Sequence, residues 1–211
     1  MKPTMKRVAA IHDLSGFGRA SLCSIIPTLS AMGVQVCPVP TAILSTHSGD
    51  FENYTFQDLT DTIPAYMAHW KQLGLEFDCI YSGFLGSPKQ TQIVADIFDD
   101  FATEDTLVVV DPVMGDNGDL YSSIPETMIP QMRKLIGKAD IIVPNYTEAA
   151  MLLGREMERQ QTDEELKEWL RELADLGPGT VMITSAQDME KPEMMNVIAY
   201  ERESGTYWKV A

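Results

Sequence analysis

The chain is poor in cysteine, in histidine and in positive charge. Its three cysteines, Cys23, Cys37 and Cys79, lie far apart and form no CxxC pair. That pattern argues against a disulfide framework or a thiolate metal site, and buried thiols are the expectation. The three histidines, His12, His47 and His69, show no HxxxH spacing, so no zinc centre is expected. Lysine and arginine number 16 against 31 aspartates and glutamates, a formal net charge of -15. Phosphate backbones attract clustered cations, which argues against nucleic acid as a main partner. A nucleotide remains compatible, because a small site can be locally positive or use magnesium. No apolar run approaches the ~20 residues needed to span a membrane. The opening MKPTMKRVAAIHD meets a charge before any long apolar core, so neither signal peptide nor membrane partner is expected and the chain reads as cytoplasmic.

What is present is the composition of a globular domain. At 211 residues, 45% of them hydrophobic and 22% charged, the chain reads as a single domain, residues 1–211, with a sizeable core. Apolar runs alternate with helical patterns. Arg7 to Ile11 reads as a buried strand, Ala20 to Met32 as a helix and Val34 to Val39 as a second strand. Gly49 to Thr60 (GDFENYTFQDLT) is polar and aromatic enough to be a loop, and Leu59 to Leu73 has Ile63, Met67, Trp70 and Leu73 at helical spacing. Cys79 to Ser82 is a short strand, Gln90 to Phe101 a helix and Leu107 to Val110 (LVVV) a buried parallel strand. Ile124 to Ile136 is a helix, Ile141 to Val143 a strand and Thr147 to Leu153 a helix. REMERQQTDEELKEWLRE, Arg155 to Glu172, is a charged run read as a solvated helix face. Thr162 to Leu176 opens with Thr162 and Glu165 in capping-box spacing, and Leu166, Trp169, Leu170 and Leu173 are expected to face inward. Val181 to Thr184 is a strand, and Asn196 to Val210 a hairpin turning at Ser204-Gly205. The alternation predicts an α/β fold with a mostly parallel central sheet and helices on both faces.

In such folds ligands sit beyond the carboxyl ends of the strands, so the residues after each strand carry the chemistry. His12, Asp13, Ser15, Gly16 and Gly18 follow the first. Thr41, Ser45, Thr46, His47 and Ser48 follow the second, and SGFLGS, Ser82 to Ser87, the third. DPVMGDNGDLY follows the LVVV strand, then PNYTEA, then Thr184, Ser185 and Ala186. The stretch IHDLSGFGRAS does not fit a dinucleotide fingerprint. It lacks the third glycine, and VCPVP at the second strand has no acid for a ribose. A tight strand-to-helix turn is its plain alternative. Asp111 ends a buried strand, and Asn145 and Glu148 lie three apart at a strand-to-helix junction. Such oxygen ligands suit magnesium held through water and phosphates. The competing reading makes Asn145 a helix cap and Glu148 a first-turn carboxylate complementing the helix dipole.

SGFLGS, DPVMGDNGDLY and PNYTEA, in this order and spacing, resemble the pyridoxal/pyridoxamine kinases of the ribokinase superfamily, over nearly the whole chain. The resemblance implies a ribokinase-like fold and phosphorylation, with ATP as donor, of the 5'-hydroxymethyl group of pyridoxal, pyridoxamine or pyridoxine. It also implies Mg2+, a monovalent cation such as K+, and a homodimer. Asn145 and Glu148 match the N-x-x-E motif that organises magnesium near the phosphates. Asp111 matches the aspartate near metal and γ-phosphate, so Asp111 and Glu148 are the implied metal residues. Thr184 and Ser185 match the pair that contacts ATP phosphates. Phe84 stands where relatives carry a Tyr beside the pyridine ring. His47 and Ser48 align with NHT, whose hydroxyl residue bonds the vitamer. Asp13 aligns with a Ser that reaches the pyridine nitrogen or ring hydroxyl; a carboxylate there favours a protonated nitrogen or an amine.

The resemblance also implies a catalytic Asp in a late GxGD loop opening a helix, whose backbone N–H groups form an anion hole. No GxGD occurs up to the closing YWKVA, so the expectation is that this Asp lies beyond Ala211 and that the chain is a truncated domain. Hydroxymethylpyrimidine (phosphate) kinases share DPVM and a PNxxEA-like motif, but would carry GSDSSGGAG where this chain reads HDLSGFGRA. A catalytically inactive vitamer-binding relative is the alternative from another class.

Overall fold

The computed structural model describes residues 5–49, 51, 53–156, 162–187 and 195–210. Residues 50 and 52 of the expected loop at 49–60, and residues 157–161 of the charged run before the sixth helix, lie outside them. The chain has an α/β fold, mostly parallel in its strands, with six helices among the described residues. It divides into two compact units, Met1–Val108 and Val109–Ala211.

In the first unit β1 (Arg7–Phe17) pairs in parallel with β2 (Gln35–Thr46) and with β4 (Cys79–Ser82), and β3 (Phe56–Asp58) adds antiparallel to β2. Ala9, Ala10 and Ile11 are completely buried, as a strand between two parallel neighbours requires. Two expectations change. β1 does not stop at Ile11 but runs to Phe17, and β2 runs past Val39 to Thr46, with an irregularity between His12 and Leu14. The putting of glycine, serine and aspartate into a strand contradicts local propensity; backbone pairing with an equally long partner overrides it. The expected loop at 49–60 contains β3, whose three residues are all exposed and leave no alternation to read.

Helices α1 (Leu22–Ala31), α2 (Ile63–Gln72) and α3 (Pro88–Phe101) complete this unit. α3 begins where its sequence says it should. Ser87 caps it by accepting the Gln90 amide, Pro88 takes the first turn, and Thr91, Val94, Ala95, Phe98 and Phe101 form the buried stripe. The thiols are less buried than expected: Cys23 is exposed, and Cys37 and Cys79 are half-buried. Leu22 is the residue α1 buries, so the next position turns outward, and Cys23 Sγ donates to Ser15 O at 2.9 Å.

In the second unit β5 (Leu107–Val110, entering from the first), β8 (Ile141–Ile142) and β9 (Thr180–Gln187) run parallel. β10 (Met195–Glu201) and β11 (Thr206–Val210) close it as an antiparallel hairpin around Gly205, as expected. Between β5 and β8 lie a small hairpin, β6 (Gly115–Asp116) with β7 (Asp119–Leu120), and helix α4 (Met128–Ile136). Helices α5 (Tyr146–Leu153) and α6 (Asp163–Asp175) each open with a capping box. In α6 it joins Thr162 and Glu165, and Leu166, Trp169, Leu170 and Leu173 are at most 2% exposed, as the spacing predicts.

Candidate active site

The second unit gathers five of the residues singled out from the sequence. β5 delivers Asp111 at its carboxyl end, and the chain then folds into the β6–β7 hairpin. The first turn of α5 fastens that segment at three points. Glu148 Oε1 accepts the Met114 amide at 3.0 Å, Asn145 Nδ2 donates to Gly115 O at 2.8 Å, and Thr147 Oγ1 accepts the Gly118 amide at 3.1 Å. The same side chains cap the helix: Asn145 Oδ1 accepts the Glu148 amide at 2.9 Å, and Glu148 Oε2 accepts the Asn145 amide at 2.8 Å. The same two side chains therefore cap the helix and brace the neighbouring segment. The N-x-x-E spacing builds a rigid corner that holds the DPVMGD segment.

Glu148 is 2% exposed. Burial first, and then the charge of Asp111, push its carboxyl up to about 8, against the lowering effect of the amides of Asn145, Met114 and Gly115. Burial pushes Asp111 up to about 7. Tyr121, on the same segment, is pushed up to about 12 by burial and then by the negative field of Glu148, Asp116 and Asp111. Two carboxylates, Glu148 buried and Asp111 half-buried, that repel each other make an environment that favours a cation.

Thr184 joins this corner through a backbone bridge to Asn145, with its amide on Pro144 O at 2.9 Å. Ser185 follows with φ 58, a left-handed conformation that a serine rarely adopts. The β9–β10 register slips opposite this pair, between Asn196 and Ile198. Bulges of this kind re-aim side chains at functional edges, and Ser185 is exposed there.

In the first unit Asp13 lies inside β1, 5% exposed. Its two oxygens accept from the hydroxyls of Ser15, at 2.8 Å, and Ser21. It ties the strand's end to the start of α1. His47 sits beside Gly18: with φ +103, Gly18 would put a Cβ 2.2 Å from His47 Cδ2, so a side chain there is barred by both conformation and space. The His47 ring meets Phe51 edge-on at 5.0 Å, and Ser48 beside it is half-buried. Phe84 is 6% exposed, and its carbonyl accepts from Thr41 Oγ1 at 2.9 Å.

Sequence reasoning passed over several neighbours. His12 is 3% exposed, held low, at about 3, by burial, and packed edge-on against Tyr81 at 4.3 Å. A Cβ on Gly83 would lie 2.2 Å from His12 Nδ1, so SGF carries its glycine to admit this imidazole. Thr147 and Gln90 were equally unmarked, since a polar residue in a helix's first turn usually signals a solvated start.

A family model for phosphomethylpyrimidine kinase matches residues 23–209. The chain belongs to this family. Among the phosphomethylpyrimidine kinases and their kin, pyridoxal kinase PdxY of Paraburkholderia xenovorans is 30% identical over 214 residues, 94% of this chain and 70% of that protein. The chain spans about half the length of the mammalian pyridoxal kinases it matches, 52% in the sheep protein. A Bacteroides thetaiotaomicron structure assigned as a phosphomethylpyrimidine kinase, in a crystal form with pyridoxal, is 52% identical. It superposes with a TM-score of 0.95, covering 98% of this chain and 72% of that one. Pyridoxal kinase of Lactobacillus plantarum is 31% identical with a TM-score of 0.86, over 98% and 72% of the two chains. Among the described residues no helix is long and apolar enough to cross a membrane.

Proposed function

We propose that this chain belongs to a cytoplasmic vitamin B6 kinase, residues 1–211 lying in one ribokinase-like domain. The reaction moves the γ-phosphoryl group of ATP to the 5'-hydroxymethyl oxygen of pyridoxamine, pyridoxal or pyridoxine. The observation that carries this reading is the 52% identity to a protein crystallised with pyridoxal, joined to a braced carboxylate pair in the second unit.

In this reading Asp13, His47, Ser48 and Phe84 face the vitamer, and Asp111, Asn145, Glu148, Thr184 and Ser185 serve ATP. Phosphoryl transfer is mainly positioning and charge stabilisation, and the chain's contribution is rigidity. Glu148 and Asn145 hold the DPVMGD segment, and in this reading the hydroxyls of Thr184 and Ser185 serve the phosphates. The phenol of Tyr121 keeps its proton in that negative field and stays a neutral donor.

The donor chemistry fits magnesium: Asp111 and Glu148 are oxygen ligands of the hard kind that magnesium takes. When bound, the cation would offset phosphate charge. The family resemblance adds a monovalent cation, tested by comparing K+ with Na+, and a homodimer, tested by light scattering. The test of the function is a coupled ADP-release assay with each of the three vitamers. A second reading, phosphorylation of hydroxymethylpyrimidine or its phosphate, is favoured by the family model's own name, and belongs in the same assay.

A further inference from the structure

Gln90 is completely buried in the first turn of α3, and both ends of its amide are used. Its Oε1 accepts the Gly86 amide at 2.7 Å. Its Nε2 donates to Thr41 O at 2.9 Å and to Thr60 Oγ1 at 2.9 Å, with Asp58 Oδ1 at 3.3 Å. Thr41 in turn donates through Oγ1 to Phe84 O at 2.9 Å. The bonds close a circuit: Thr41 holds Phe84, Gln90 holds Gly86 two residues on, and Gln90 returns to Thr41. The SGFLG loop is thus pinned to β2 on both sides of Leu85, and through Asp58 and Thr60 to the end of β3 and the turn after it. The space is tight. A Cβ on Gly86 would lie 3.2 Å from Phe56 Cζ and 3.8 Å from Phe84 Cε1, so a shift of the loop moves the ring.

The circuit needs one acceptor and one donor at fixed places on the same side chain. Glutamate supplies two acceptors and sets one against the Thr41 carbonyl. Leucine supplies neither and leaves the half-buried Gly86 amide without its bond. Only a primary amide satisfies both sides.

We propose that Gln90 is a positioning residue for vitamer binding, acting through Phe84 without touching the substrate. The inference rests on the vitamin B6 reading above. The test is titration of pyridoxal into wild type, Gln90→Leu, Gln90→Glu and Leu170→Ala, with melting curves of each. Leu170 is a buried residue of α6 in the other unit and controls for lost stability. The expected result is a Kd for pyridoxal raised about tenfold or more in the Gln90 variants, with nucleotide affinity unchanged and Leu170→Ala binding pyridoxal as wild type does. Thr41→Val should raise the Kd as well, and combining it with Gln90→Leu should add little, because both break one circuit. Gln90→Leu with lowered melting temperature but wild-type pyridoxal affinity overturns the proposal. Wild type that binds no vitamer at all overturns the vitamin B6 reading itself, and the two failures are told apart by that first titration.

Discussion

Glu148 holds the backbone of Met114 across 34 residues of sequence, through a 3.0 Å bond from the Met114 amide to Oε1. Its other oxygen closes the cap of α5 on the Asn145 amide. A carboxylate is required because both neighbours are donors. Glu148→Gln offers an NH2 to one of two N–H groups and loses a bond at a buried position. Stability should fall by about 1–3 kcal/mol, and the magnesium concentration needed for half-maximal turnover should rise, with vitamer affinity nearly unchanged. Thermal melts and a magnesium titration check this, and lost vitamer affinity would count against the role assigned to Glu148.

The same pair makes stability depend on pH. A carboxyl whose pKa rises on folding holds its proton more tightly in the folded chain. Its contribution is complete below the ordinary value, 3.8 for Asp111 and 4.5 for Glu148, and is lost as pH climbs through about 7 and about 8. The melting temperature of metal-free protein should therefore fall across that window. Magnesium should restore more of it at the alkaline end, and Asp111→Asn should flatten the slope. A slope unchanged in Asp111→Asn would assign it to the general negative charge instead.

His12 and Gly83 should behave as a pair. Gly83→Ala places a methyl 2.2 Å from the imidazole, and overpacking of this kind costs about 1–3 kcal/mol. In a His12→Ala background the same change should cost far less. Urea melts of the four proteins give the coupling directly; equal costs in both backgrounds would contradict the contact.

Asp13 is expected to tune the choice of vitamer. Asp13→Asn removes the negative charge that favours an amine or a protonated ring nitrogen, and should weaken pyridoxamine more than pyridoxal, by about tenfold in relative Kd. Part of any loss will be common to all vitamers, because Ser15 and Ser21 depend on the same oxygens. The ratio between vitamers carries the prediction.

The architecture was readable where hydrophobic period and capping chemistry agree, as in LVVV, in the Thr162–Glu165 box and in the stripe from Leu166 to Leu173. It was unreadable where pairing overrides propensity. Ser15, Gly16 and Phe17 form strand only because β2 continues beside them, and Phe56–Asp58 is too short and too exposed to show a pattern. The N-x-x-E corner was legible as residues, but not as a brace. Nothing in the sequence says that Glu148 reaches Met114 or that Thr147 holds Gly118, since these bonds exist only once the hairpin folds back. Gln90 was hidden for the same reason: its partners come from β2, from the end of β3 and the turn after it, and from the SGFLG loop.

The measurement that bears most directly on the function is ADP release with pyridoxal, pyridoxamine, pyridoxine and hydroxymethylpyrimidine, each supplied separately with magnesium and ATP. The vitamin B6 reading predicts turnover of at least one vitamer, at a kcat/KM well above that for hydroxymethylpyrimidine. Turnover of hydroxymethylpyrimidine with none of the three vitamers would contradict it.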